Sequence, residues 1–132
     1  MDMNIFDRFE FRDVRQEEAE ETFEIENICF PPNEACPYEA MIERVRKIPD
    51  LFLVAYDPQA GKIAGFLNGI ATDEAVFRDE FFTDSSLYQA EGSNVMLCGL
   101  DVRPEYRRQG LAKALVNAYA ERERAKGRRR LV

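Results

Sequence analysis

Histidine is absent from all 132 residues, so the side chain that most often moves protons near neutral pH is missing. Any proton removal falls to a carboxylate, an ordered water chain or bulk solvent, and a zinc site would need an unusual ligand set. Cysteine is scarce: Cys29, Cys36 and Cys98 form an odd set without CxxC spacing and are expected to be reduced thiols that pack, with no metal bound. No segment reaches the roughly 18 consecutive apolar residues of a membrane helix. The start "MDMNIFDRFEFRD" has neither the basic opening nor the apolar run of a secretory signal. A cytoplasmic protein without a membrane partner is expected. Repeats, low-complexity tracts and Gly/Ser linkers are missing too, so residues 1–132 are expected to form a single domain. Neither GxxxxGKS/T nor GxGxxG occurs, which discounts a Walker loop and a dinucleotide fingerprint.

Charge is present in quantity but unevenly spread. The net charge is -7, yet residues 1–102 hold 8 Lys/Arg against 22 Asp/Glu, whereas residues 103–132 hold 10 against 3. Such a division predicts either two differently charged surfaces or a basic terminal helix that pairs with an acidic body. The overall sign, and the shortness of the basic "RRRLV" end, argue against a nucleic-acid partner.

Hydrophobic periodicity gives the element order. "RFEFRDV" alternates and predicts a strand over Phe9–Val14. Residues Gln16–Cys29 predict an amphipathic helix with Ala19, Phe23 and Ile28 on one face and acids on the other, ended by Pro31 and Pro32. Met41, Ile42 and Val45 lie at helical spacing in Tyr38–Ile48, which Pro49 stops. Leu51–Tyr56 and Lys62–Ala71 flank the turn "PQAG" and predict an antiparallel pair. Asp73–Ser93 reads as a long excursion with one helical turn. Asn94–Val102 reads as a buried central strand, and Gln109–Lys126 as a helix with a stripe of Leu111, Ala112, Leu115, Val116 and Tyr119, with Gly127 at its C′ position. "RRRLV" resembles the start of a strand parallel to the 94–102 strand.

One stretch carries chemistry. In "LDVRPEYRRQGLAKALV" a strand ends at Val102, Pro104 turns the chain, and a helix begins beside two arginines. A cation near a helix N-terminus costs roughly 0.3–1 kcal/mol at an exposed site. The first amide N–H groups there have no intrahelical partner, Gly110 lets a backbone approach a ligand, and Arg107 and Arg108 add charge. A diphosphate fits this arrangement, as does a helix start with solvated arginines.

The same stretch resembles the acetyl-coenzyme A motif of the GNAT superfamily of N-acetyltransferases, whose Q/R-x-x-G-x-G/A signature falls on Arg107, Arg108, Gln109, Gly110, Leu111 and Ala112. The element order matches that superfamily over nearly the whole chain. "FPPNEACPYE", "IPDLFLVAYD" and "IAGFLNGIATDE" are similar to the arylalkylamine N-acetyltransferase branch. The resemblance implies a mixed α/β (α+β) fold with a mostly antiparallel central sheet flanked by helices. Members usually continue with a further strand, helix and hairpin, so the domain is expected to be C-terminally incomplete and its open sheet edge to favour a homodimer.

The resemblance further implies transfer of acetyl from acetyl-CoA to the primary amine of a small molecule by direct attack in a ternary complex. The pyrophosphate would lie on Arg107–Ala112 and the pantetheine arm along Leu100, Asp101 and Val102. A backbone amide, that of Leu100, would hold the oxyanion. Related enzymes carry a Glu or His on the central strand where this chain has Met96 and Cys98. Asp73, Glu74 and Glu34 are therefore the candidate bases, against a reading of them as solvated loop acids; Cys98 is a candidate acetylated nucleophile, against a reading as packing. Phe30 and Pro37 match acceptor-ring positions, or serve as core and turn residues. The alternative to an enzyme is a non-catalytic CoA-binding or interaction module.

Overall fold

The computed structural model describes residues 5–132, with side chains from Asp7 onward. A short helix α1 (Ile5–Arg8) leads into strand β1 (Glu10–Asp13), a 3-10 turn at Gln16–Glu18 and helix α2 (Ala19–Cys29). Helix α3 (Tyr38–Lys47), strands β2 (Phe52–Asp57) and β3 (Lys62–Thr72), and a one-turn helix α4 (Glu80–Thr83) follow. Strand β4 (Asn94–Val102), helix α5 (Leu111–Ala125) and strand β5 (Arg130–Leu131) complete the order. The five strands form one sheet in sequence order, antiparallel except for the parallel β4–β5 pair. The mixed, mostly antiparallel sheet of the sequence reading is present, as is the parallel strand at "RRRLV". No helix among the described residues is long and apolar enough to cross a membrane.

Alternation along β2 explains the layering. Leu53 and Ala55 join one core with Leu111, Leu115 and Tyr119 of α5, while Phe52 and Val54 join a second with Ile25 of α2 and Met41 and Val45 of α3. One side of the sheet is covered by α5 and the other by α2 and α3.

Three details depart from the sequence reading. The inward face of α2 is Ala19, Thr22, Ile25 and Glu26, whereas Ile28 is 51% exposed, so the helix is rotated from the Ala19–Phe23–Ile28 stripe. The rotated face includes a buried acid, Glu26, which a pattern that places charges outward cannot foresee. On α5, Ala112 is exposed and Ala114 takes the inward place. The strand predicted as buried, β4, is buried only over Asn94–Met96 and at Asp101; Leu100 is 38% exposed. The reason is pairing. β5 lies opposite only Asn94 and Val95, Val132 adds a bond to the Leu97 N–H (2.9 Å), and among the described residues no strand continues along that side of β4 beyond that point.

Candidate active site

Two neighbouring features meet where β4 loses its outer partner. The first is a bulge: Gly69 opposes Leu97 and Asn68 opposes Gly99, leaving Cys98 as the extra residue. Past it the alternation is fixed by Arg103, whose N–H donates to the Ala64 carbonyl at 2.9 Å. The backbone groups of Asp101 therefore face β3, and those of Leu100 and Val102 face the open side. The Val102 carbonyl accepts there from Cys29 Sγ at 3.4 Å and Arg107 Nε at 3.0 Å.

The second feature is the loop into α5. Gly110 is the N-cap residue at φ 83° with no side-chain cap, and the first intrahelical bond runs from the Ala114 N–H to the Gly110 carbonyl at 3.0 Å. The amides of Leu111, Ala112 and Lys113 thus have no acceptor within the helix. Arg108 at φ 63° and Gly110 are both left-handed, which turns successive N–H groups toward one concavity. That concavity measures about 120 Å³ and is lined by Val102, Tyr106, Arg107, Arg108, Gly110, Leu111 and Ala112. A Cβ built on Gly110 meets no atom within 4 Å, so the space above it is open to a ligand.

Tyr106 fixes this loop from beneath. Its hydroxyl donates to Asp57 Oδ2 at 2.6 Å, and its ring stands edge-on to Phe9 with centroids 5.6 Å apart. The other oxygen of Asp57 accepts from the Gln59 N–H at 3.0 Å, so one carboxylate joins the β2–β3 turn to the loop. The Tyr106 bond holds the Asp57 carboxyl below its usual range, while burial and Asp57 push the phenol up to about 12.

The contiguous residues of the predicted cofactor site are thus brought together, with two differences. The side-chain Oε1 of Gln109 accepts from Arg8 Nη1 at 2.6 Å, away from the concavity. The Arg107 guanidinium turns back to Val102 and to Cys29 Sγ (3.6 Å), while Arg108 is exposed. The basic segment also ties to the acidic body through Arg103–Glu21 (3.1 Å) and Arg122–Asp13.

The proposed bases are not gathered with them. Asp73 and Glu74 follow Thr72, which opposes Asn94, so they lie at the far end of β4, six residues or about 20 Å from Leu100. Asp73 accepts from the Ser93 N–H (3.0 Å), and Glu74 pairs with Arg78 through both oxygens (2.9 and 2.8 Å). Glu34 is exposed in the turn after α2. Phe30 is the half-buried C-cap of α2; Pro37, the N-cap of α3, edges an open groove of about 610 Å³ with Tyr38, Glu39 and Glu43. Burial pushes the Cys98 thiol up, so it is held protonated, and its Sγ donates to the Phe81 carbonyl at 3.4 Å. All three cysteines are free.

The sequence reading missed two buried acids: Glu26, which it left unassigned, and the side chain of Asp101, which it placed along the cofactor arm although the backbone groups of Asp101 face β3. Asp101 is 1% exposed and neither carboxyl oxygen meets an ionised-state donor; Glu26 of α2, 2% exposed, stands within hydrogen-bond reach. A carboxyl buried beside another acid and without a donor keeps its proton more readily than an exposed one. Burial, then the Glu26 contact, pushes Asp101 up to about 9, against the opposing pull of Arg107. A carboxyl raised in the folded state gives stability that is full at acid pH and is lost as pH rises from the ordinary carboxylate range toward that value. The advantage of the wild type over Asp101→Asn is therefore expected to shrink with pH between about 5 and 9, by at most about 1.4 kcal/mol per unit. Urea unfolding at several pH values measures it, and a pH-independent difference would exclude a protonated Asp101.

A sequence model of the acetyltransferase (GNAT) family matches residues 13–132. No curated protein sequence gives a significant match. Among solved structures, the chain is similar to the loading GNATL domain of CurA from Lyngbya majuscula, with TM-score 0.77 and 22% identity over 86% of this chain and 57% of that one. It is similar to the GphF GNAT-like decarboxylase in complex with isobutyryl-CoA, with TM-score 0.74 and 20% identity over 85% and 57%. A third likeness is to the aminoglycoside N-acetyltransferase AAC(6')-Iy in complex with CoA, with TM-score 0.67 and 22% identity over 94% and 74%. The chain spans 57% of the length of the first two. At these identities the likeness concerns the fold.

Proposed function

Because the chain belongs to the acetyltransferase (GNAT) family, we propose that it transfers acetyl from acetyl-CoA to the primary amine of a small molecule by direct attack within a ternary complex. The observation that carries this reading is the continuity of the open β4 edge, Leu100–Val102, with the uncapped start of α5. The free amides of Leu111 and Ala112 and the charge of Arg108 suit a diphosphate. The outward groups of Leu100 and Val102 suit an extended amide-bearing arm, once Arg107 and Cys29 release the Val102 carbonyl. The Leu100 N–H then stands where a thioester carbonyl gathers negative charge, and a donor in that place is worth about 3 kcal/mol in transition-state stabilisation.

An amine acceptor is supported by two neighbours whose names state amine substrates, the aminoglycoside enzyme and a diaminobutyrate acetyltransferase from Paenibacillus lautus. Within that class an arylalkylamine is the finer reading, resting on "FPPNEACPYE", with Phe30 and Pro37 beside the acceptor ring. The experiment is a screen of primary amines (tryptamine, spermidine and an aminoglycoside) with acetyl-CoA, following product mass. A gain of one acetyl group on an amine is expected. CoA binding with no transfer to any of them would favour a binding module instead.

A further inference from the structure

We propose that Arg107 is a latch that selects acyl carriers bearing a diphosphate over carriers that have only a pantetheine arm: its guanidinium closes the Val102 carbonyl in the free protein and opens it when a diphosphate draws the guanidinium away. The inference rests on the acetyl-CoA reading above and gives Arg107 a role in specificity beyond its charge.

Geometry carries it. The Val102 carbonyl is the last outward acceptor of the open β4 edge, and in the free protein it is already taken, by Arg107 Nε at 3.0 Å and Cys29 Sγ at 3.4 Å. Arg107 Nη2 also lies 3.6 Å from Cys29 Sγ, so guanidinium, thiol and carbonyl form one closed triangle over the end of the edge. An extended arm that pairs with Val102 must displace them. Of the two donors the guanidinium is the stronger, since a thiol donates weakly. Val102 and Arg107 line the same concavity of about 120 Å³ as Gly110, Leu111 and Ala112. The latch therefore stands on the boundary between the place of the arm and the place of the diphosphate.

Its pivot is fixed and its end is free. Tyr106 is bonded to Asp57 at 2.6 Å, and the Arg107 N–H donates to the Pro104 carbonyl at 3.2 Å, so the backbone is held on both sides of the Arg107 Cα. The side chain is exposed, and its guanidinium meets a neutral carbonyl and a thiol rather than a carboxylate. Arg103, four residues earlier, differs: its guanidinium is occupied by Glu21 at 3.1 Å and the Ile63 carbonyl at 2.7 Å. A diphosphate offers Arg107 an opposite charge and paired acceptors, which the Val102 carbonyl lacks. With a diphosphate in the concavity the guanidinium turns to it and the carbonyl is released to the arm. A pantetheine without phosphate has to break the same bond with nothing to replace it, and the difference between the two ligands is the coupling that the latch provides.

The test compares acetyl-CoA with S-acetylpantetheine, by NMR titration of the full chain, for the wild type, Arg107→Leu and Arg108→Leu. Both side chains are exposed, so both variants are expected to fold. Arg108 adds charge to the same loop but is not a donor to the Val102 carbonyl, so it isolates the effect of charge. Arg107→Leu is expected to bind S-acetylpantetheine about fivefold more tightly than the wild type does, and acetyl-CoA about fivefold more weakly. Arg108→Leu is expected to weaken acetyl-CoA by about the same factor and to leave S-acetylpantetheine within about twofold. Opposite signs do not arise from a general loosening of the loop, so the two ligands separate a latch from a merely structural arginine. Arg107→Leu moving both ligands the same way, or leaving S-acetylpantetheine unchanged, overturns the latch and leaves the CoA site standing. A folded wild type without saturable acetyl-CoA binding overturns the acetyl-CoA reading, and this inference with it.

Discussion

Gly110→Val is expected to weaken CoA binding by about 100-fold, equivalent to about 2.7 kcal/mol, with little change in the fold. Two effects combine. Gly110 sits at φ 83°, where a β-branched residue is strained, so the loop must rebuild and the amides of Leu111 and Ala112 turn away from a common point. Hydrogen bonds from backbone amides to a charged acceptor are worth about 1.5–3 kcal/mol each, so losing one or two accounts for the effect. The Cβ itself meets no protein atom within 4 Å, which limits the cost in the free protein to the backbone strain, about 1–2 kcal/mol. Calorimetric titration of both proteins with CoA measures the difference. Equal affinities would mean that the diphosphate does not lie on this loop.

Arg44→Met is expected to cost about 3–5 kcal/mol of unfolding free energy, a large share of what a domain this size has. Arg44 is 2% exposed on α3. Its Nη1 donates to Asn68 Oδ1 at 3.0 Å, and its Nη2 donates to the carbonyls of Phe81 and Phe82 at 2.8 and 3.1 Å. Methionine fills similar length but leaves those three acceptors dry, and it removes the cation nearest the cysteine-lined cavity beside Glu26. The carbonyls belong to α4, so the loop between β3 and β4 is expected to loosen with it. Urea unfolding should show a lower midpoint at an unchanged slope. A loss below about 1 kcal/mol would mean that the site relaxes to admit water.

These two residues also mark how far the sequence could be read. Gly110 belongs to one contiguous stretch, and its turn, free amides and charge are all visible within a few residues of it. The β2–β3 hairpin was legible for the same reason: alternation on both sides of "PQAG" is local information. Arg44 and Glu26 look in sequence like ordinary surface charges at helical spacing, and Asp101 like one of the positions along a cofactor arm. Their burial depends on partners brought together by the fold, Glu26 and Asp101 lying 75 positions apart. Asp73 and Glu74 show the converse error. They stand in a loop of the expected length, but the register of Thr72 with Asn94 carries them to the other end of β4 from Leu100.

The central claim is that the uncapped start of α5 and the open edge of β4 form one binding surface for acetyl-CoA. The most direct measurement is the change in backbone amide NMR signals of the full chain on titration with CoA. The account predicts saturable shifts that are largest at Gly110, Leu111, Ala112 and Leu100, with the Arg107 side-chain signal moving as its bond to the Val102 carbonyl is released. Saturable shifts centred elsewhere, or none at any of these amides, would contradict it.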